Sequence, residues 1–168
     1  PNTKPVIDSP AVAALIQEKA KKAGHCTVLT LGALTANLEG EQLSNMSGLK
    51  EAGCVALSNL DLTFKDSHVI KQCYNYAAGF NITAMVTPID NALAHGGCMH
   101  EGPASTQLCL ACSPVSADTS ALAQHLILCE ETGIRLHISR VSSARALSII
   151  LGAQQTGLLV TLDVARAT

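Results

Sequence analysis

Five side chains able to hold a soft metal ion fall within one stretch of this chain: His95, Cys98, His100, Cys109 and Cys112. Cys109-x-x-Cys112 is half of a common zinc pattern, and Cys98 or His100 would complete a tetrahedral set. The spacing matches no standard zinc module, and a set of reduced thiols in a loop accounts for the same residues. Two further histidines stand inside regular elements. His125 lies three residues after Leu122 and four before Cys129, so it shares their apolar helix face and reads as a packed, hydrogen-bonded core residue. His137 sits within an apolar strand, pointing either to the inside of a barrel or toward flanking helices. His25 and His68 read as surface residues.

Helix and strand signals alternate along the chain and must position those groups. Asp8-Ser9-Pro10 is a cap followed by proline at a first helical position, and Gly24 closes that helix. A shorter helix is expected over 41–52. Asp66 caps a third, ended by Gly79; others run from Ser116 to Gly133 and over 142–156. Apolar strands are expected near 27–33, 54–58, 82–87, 134–139 and 158–163. The stretch 88–115 holds Gly, Pro, Cys and His with little periodicity, and reads as a loop packed over the strand ends, of low local stability.

Strands that alternate with amphipathic helices call for an α/β fold with a parallel sheet. A complete (β/α)8 barrel takes about 250 residues, so this chain covers about five βα units of a partial TIM-type barrel. An open doubly wound sheet is the alternative, although no Gly-x-Gly-x-x-Gly or P-loop motif supports it. In either architecture function gathers at the carboxyl ends of the strands. There the chain offers Asn59, Leu60, Thr87, Arg140 and Asp163, one carboxylate and no histidine. A hydrolytic zinc site needs several such ligands, so no metal centre is expected at these ends.

With 48% apolar and 14% charged residues the chain can build a core, and with 2% aromatics that core must be aliphatic. A net charge of −2 gives no electrostatic case for nucleic acid or an anionic membrane. No apolar run is long enough to span a bilayer. Seven cysteines, an odd number, fit reduced thiols in a cytoplasmic protein better than a disulfide framework. The chain opens at Pro1-Asn2-Thr3 without a methionine and stops just after a strand pattern. Residues 1–168 are therefore expected to be an internal segment of a single barrel domain.

Several motifs carry a family resemblance. Pro1-Asn2-Thr3-Lys4-Pro5-Val6-Ile7-Asp8 resembles a strand exit of the dihydroorotases. Gly32-Ala33-Leu34-Thr35, Leu38-Glu39-Gly40 and Leu49-Lys50-Glu51-Ala52-Gly53 are similar to further family motifs. His100-Glu101-Gly102-Pro103-Ala104-Ser105-Thr106-Gln107-Leu108 is similar to the family's Glu-Gly-x-x-Ser-Thr-Arg-Leu. Glu131-Thr132-Gly133, Leu136-His137-Ile138 and Val141-Ser142-Ser143-Ala144 follow in family order, so the resemblance spans the chain.

That resemblance implies a barrel of the amidohydrolase superfamily. Its reaction is reversible closure of carbamoyl aspartate to dihydroorotate in pyrimidine biosynthesis, a cyclic-amide hydrolase chemistry in which zinc activates water. The chain departs from the family at three ligand positions. Asn59-Leu60 stands for Asp-Asp, Thr87 for a histidine, and Arg140 for the next histidine; Asp90 is left matching. The resemblance carries Asn2 over as a contact for the substrate's α-carboxylate. Arg140 puts a fixed cation where a neutral ligand stood, able to pair with Asp90 or Asp163 or to bind an anion.

The expectations are accordingly no catalytic residues, no metal and no cofactor within this segment, and Asn2 and Arg140 as candidate substrate-binding residues. A pseudo-enzyme with a structural role is expected, in an oligomer or a complex with aspartate transcarbamoylase. An intact parent with zinc-dependent dihydroorotase activity is the alternative, and a remnant that still binds an anion is a third.

Overall fold

The computed structural model describes residues 1–60 and 64–164. Local signals at helix ends set most of its elements. Pro10 opens α1 (Pro10–Ala23), and Gly24, at φ 69°, returns its N–H to Ala20. Only glycine takes that left-handed turn without strain. Asp66 accepts from the Val69 N–H to start α3 (Ser67–Gly79). Ser143 does the same for α7 (Ala144–Gln155), and Gly133 ends α6 (Val115–Thr132) at φ 67°.

The strands are β1 (Leu31–Ala33), β2 (Ala56–Leu60), β3 (Thr83–Val86), β6 (Leu136–Val141) and β7 (Val160–Val164). They form one sheet in the order β1-β2-β3-β6-β7, with every pairing parallel. The strand order follows the chain without reversing, whereas a doubly wound sheet reverses at a switch point. Leu57, Ala84, Val86, Leu136, Ile138 and Val160 form a single core with Val69, Cys73, Tyr74, Leu122, Leu126 and Ile150 of the helices. The fold is thus a partial (β/α)8 barrel of five parallel units, as the periodicity implied.

Two expectations are corrected. The helix expected over 41–52 is only α2 (Met46–Glu51), capped by Asn45. The preceding residues are held by long-range bonds: Ser44 N–H donates to the Leu34 carbonyl, Ser44 Oγ to that of Ala33, and Leu43 bridges Thr35. The stretch 88–115 is not an irregular loop. It contains α4 (Asn91–Ala94), β4 (Met99–His100), α5 (Pro103–Leu108) and β5 (Cys112–Ser113), with β4 and β5 paired in parallel as a second small sheet. Gly97 permits this pairing, because a Cβ there would collide with the backbone of Cys112 and Ser113. The segment does pack over the strand ends. Asp90 N–H donates to Ala117, and His100 Nε2 lies 2.9 Å from Ser142 Oγ, just past β6.

His125 sits in the core as its helical spacing implied. It is 7% exposed, and its Nδ1 lies 2.7 Å from Tyr74 Oη. Burial pushes its pKa down to about 4 from 6.5, so the folded state keeps the ring neutral. Above 6.5 the folded and unfolded rings are both neutral, and His125 adds no pH dependence. Below 6.5 only the unfolded ring takes up a proton, so stability falls as pH drops toward about 4. The expected slope from this group is about 1.4 kcal/mol per pH unit. Urea unfolding at successive pH values, with the His125 ring followed by NMR, measures it; a His125 that titrates at an ordinary histidine pKa would contradict the assignment.

Candidate functional site

Four strands deliver side chains to one end of the sheet. Strand parity decides which face each residue takes. In β6 and β7, Leu136, Ile138 and Val160 belong to the core, so His137, Ser139, Thr161 and Asp163 take the opposite face, the inside of the partial barrel. Hydrogen bonds agree with this placement. His137 Nδ1 lies 2.8 Å from Thr161 Oγ1, and its Nε2 lies 3.0 Å from Asp163 Oδ2. Of the two orientations open to His137, the structure adopts the inward one.

Asp163 also accepts from the backbone N–H of Arg140 at 2.7 Å. That bond, followed by the one from His137, holds its carboxyl below the usual range. Arg140 itself sits at φ 59°, where the β6–β7 register shifts between Ile138 and Val141. Its guanidinium Nη2 donates to Thr87 Oγ1 at 3.1 Å. Of the two carboxylates considered for Arg140, Asp163 is the one that meets its backbone. Asp90 instead caps α4, its Oδ1 accepting from Ala92 and Leu93.

Asn59 is not an open site residue. It is 1% exposed, accepts from the Thr35 N–H at 3.1 Å through Oδ1, and donates from Nδ2 to Thr35 Oγ1 at 2.7 Å. Thr35 Oγ1 also takes the Gly40 N–H at 3.0 Å. The side chain therefore clamps the end of β2 to the chain leaving β1. Leu60, next along, is at φ 57°, again at a register shift. Two strand ends thus carry non-glycine residues in the left-handed region, a conformation that concentrates at functional sites.

Asn2 is exposed on the chain leading to β1, where Ala33 N–H donates to Ile7. Arg140 lies on β6, and among the described residues no hydrogen bond joins the two. Thr87, Ser139, Arg140, Ser142, Asp118 and Asn91 instead share a cavity of about 310 Å³.

The cysteine and histidine stretch is dispersed by the second sheet. Cys98 Sγ faces the Ala111 carbonyl, Cys109 Sγ that of Thr106, Cys112 is exposed on β5, and His95 ends α4. Among the described residues no group of three or more His, Cys, Asp and Glu is placed to hold a metal ion. His100 instead joins Ser142 and Asp118. Ser142 Oγ donates to Asp118 Oδ2 at 3.1 Å, so it accepts from His100 Nε2–H, and His100 Nδ1 is buried with no hydrogen-bond partner among the described residues. The sequence carried no local signal for that cluster. The His137–Asp163 pair could have been found by aligning the parity of two adjacent parallel strands.

A family model described as "Dihydro-orotase-like" matches residues 1–146. Over 165 residues, 98% of the chain, it is 45% identical to a "Dihydroorotase-like protein" of Pseudomonas aeruginosa and 43% identical to one of Pseudomonas putida. A "Dihydroorotase" of Syntrophobacter fumaroxidans is 41% identical over the same share. The chain spans 39% of the length of each Pseudomonas relative and 38% of the Syntrophobacter one. Among solved structures, the L-hydantoinase (dihydropyrimidinase) of Arthrobacter aurescens superposes with a TM-score of 0.71 at 17% identity. That match covers 94% of this chain and 36% of the hydantoinase, a likeness of fold.

The Asn59 clamp yields a test. Asn59→Asp keeps the shape but replaces the donor to Thr35 with a buried carboxylate oxygen. Ionised, it places a charge in the interior with only the neutral N–H and hydroxyl of Thr35 to meet it, so the variant should lose about 2 kcal/mol or more at neutral pH. Its folded pKa is raised, so the loss should shrink at pH values low enough to protonate the carboxyl. Urea midpoints at both pH extremes decide this, and a variant as stable as the parent at neutral pH would rule the clamp out.

Proposed function

The chain belongs to the dihydroorotase-like family, and from that membership we propose that it is part of a non-catalytic member with a structural, partner-binding role in pyrimidine biosynthesis. The observation that carries this reading is the hydrogen bond from Arg140 to Thr87. Both stand where the family resemblance places metal-binding histidines, and Leu60 stands where it places a carboxylate. A guanidinium, a hydroxyl and an alkyl group do not fit zinc. Zinc takes neutral imidazoles, thiolates and carboxylates, and a fixed positive charge among the donors opposes it. No step through a metal follows from these residues.

Arg140 instead supports anion binding. Its charge persists at any working pH, and with Thr87 it lines a cavity of about 310 Å³. Asn2 is proposed as a second carboxylate contact. The proposed partner is aspartate transcarbamoylase, in an oligomer or complex formed in the cytoplasm. Among the described residues no helix is long and apolar enough to cross a membrane.

A second reading is kept because the Syntrophobacter relative bears the name "Dihydroorotase". In it the full-length protein is a zinc-dependent enzyme with ligands supplied elsewhere in its chain. One assay separates the two: conversion of dihydroorotate by full-length protein purified from a host without dihydroorotase. The expected result is no turnover with or without added zinc, because unassisted water supplies almost no hydroxide at neutral pH. Zinc-dependent turnover within about tenfold of an ordinary dihydroorotase would establish the second reading. Leu60→Asp, Thr87→His and Arg140→His together should restore zinc binding to the full-length protein. Co-migration with aspartate transcarbamoylase in gel filtration is the expected partner result, and separate elution would exclude that partner.

A further inference from the structure

A larger cavity, of about 600 Å³, lies beside the first, between the ends of β2 and β3 and helices α3 and α6. Much of its wall is apolar: Leu60, Phe64, Ile70, Val86 and Ala121. Two of its polar liners are buried, Asn59 and His125. Asn59 is satisfied by Thr35. His125 is not.

The tautomer of His125 follows from its partner. Tyr74 is fully buried, and His125 Nδ1 is the hydrogen-bond partner of its hydroxyl. A buried hydroxyl proton needs an acceptor, so Tyr74 donates and Nδ1 accepts. The ring proton therefore sits on Nε2. No hydrogen bond from Nε2 to the protein is found among the described residues, yet Nε2 is not among the side-chain atoms sealed away without a partner. The ring that carries this proton lines the cavity.

We propose that this cavity, which adjoins the Arg140 pocket and shares Thr87, Ile89 and Asn91 with it, is a binding site for a small uncharged molecule that is mostly apolar and presents one carbonyl-type acceptor to His125 Nε2–H. The apolar wall supplies contact area, and the single buried donor fixes orientation, as is usual for small-molecule pockets. Anions are disfavoured on two counts. The donor is neutral, since burial pushes the His125 pKa down to about 4, and the Asp90 carboxyl forms part of the wall. Tyr74 acts as a positioning residue, because its hydroxyl holds the proton on the cavity side of the ring. The site does not depend on whether the protein turns over dihydroorotate, so the activity assay and the binding test fail independently.

The test uses the full-length protein with three matched probes: N-methylbenzamide, benzoate and toluene. Calorimetry measures affinity, and NMR follows the His125 Nε2–H. N-methylbenzamide should bind saturably in the millimolar range, shift the Nε2–H resonance, and outcompete benzoate by roughly tenfold or more. Toluene should bind without moving that resonance downfield. Ala121→Phe fills the cavity from α6 one turn before His125, and His125 ring resonances check that the Tyr74 hydrogen bond survives it. It should abolish amide binding while leaving the circular dichroism spectrum and cooperative unfolding intact. Tyr74→Phe frees the tautomer and should weaken the amide more than toluene. No saturable amide binding by the parent protein would overturn the proposal. So would benzoate binding as tightly, or amide binding unchanged by Ala121→Phe.

Discussion

A parallel sheet whose helices lie on one face allows each strand residue one of two environments, and the rest of this molecule depends on that division. Helices α3, α6 and α7 must land on an aliphatic surface, because the chain has few aromatic residues to supply area. Leu57, Ala84, Val86, Leu136, Ile138 and Val160 provide it, and they fix the parity of every residue between them. His137, Thr161 and Asp163 then have no choice of face. A slip of one residue in β6 would bury His137 among leucines and expose Ile138, so the core holds the inner polar cluster in place as firmly as its own hydrogen bonds do.

The strand ends are held by a different means. At β2 and β6 the register shifts, and Leu60 and Arg140 adopt left-handed backbone there. Neither residue type favours that conformation, which costs of order 1 kcal/mol or more, so neighbouring bonds must hold it. They are visible on both strands. Leu60 N–H donates to Ser58 Oγ at 2.9 Å, with Asn59 clamped to Thr35 immediately before it. Arg140 N–H donates to Asp163. The backbone bends are met by groups two residues or one strand away.

Much of this was legible in the chain, and the division follows the range of the interactions. Pro10, Gly24, Asp66 and Gly133 act within one turn of their own helices, so each marked its helix end. His125 was placed correctly because its surroundings repeat at helical spacing. The region 41–52 misled because Ser44 and Leu43 bond across the chain to Ala33, Leu34 and Thr35 before α2 can begin. Strands β4 and β5 have two residues each, too few to show alternation, and their pairing rests on the lack of a side chain at Gly97. Asn59 looked like an altered site residue, since nothing local says that Thr35 will close over it.

The same distinction bears on how a strand end can change its chemistry while its fold persists. In this chain the groups that bond to the backbone at the strand ends are Ser58 and Asp163, with Asn59 clamped beside them, and none of the three is the Arg140 or Leu60 side chain at the mouth. A substitution at Leu60 or Arg140 changes charge and polarity at the barrel mouth and keeps the backbone bonds to Ser58 and Asp163, although at Arg140 it removes the guanidinium's bond to Thr87. A substitution at Asn59 does the reverse, because its amide lies inside the protein and joins two strands. Under the proposed non-catalytic reading, that separation explains how a barrel frame can outlast its original chemistry. The frame is held from behind the mouth by Asn59 and Thr35, and from the inner face by Asp163.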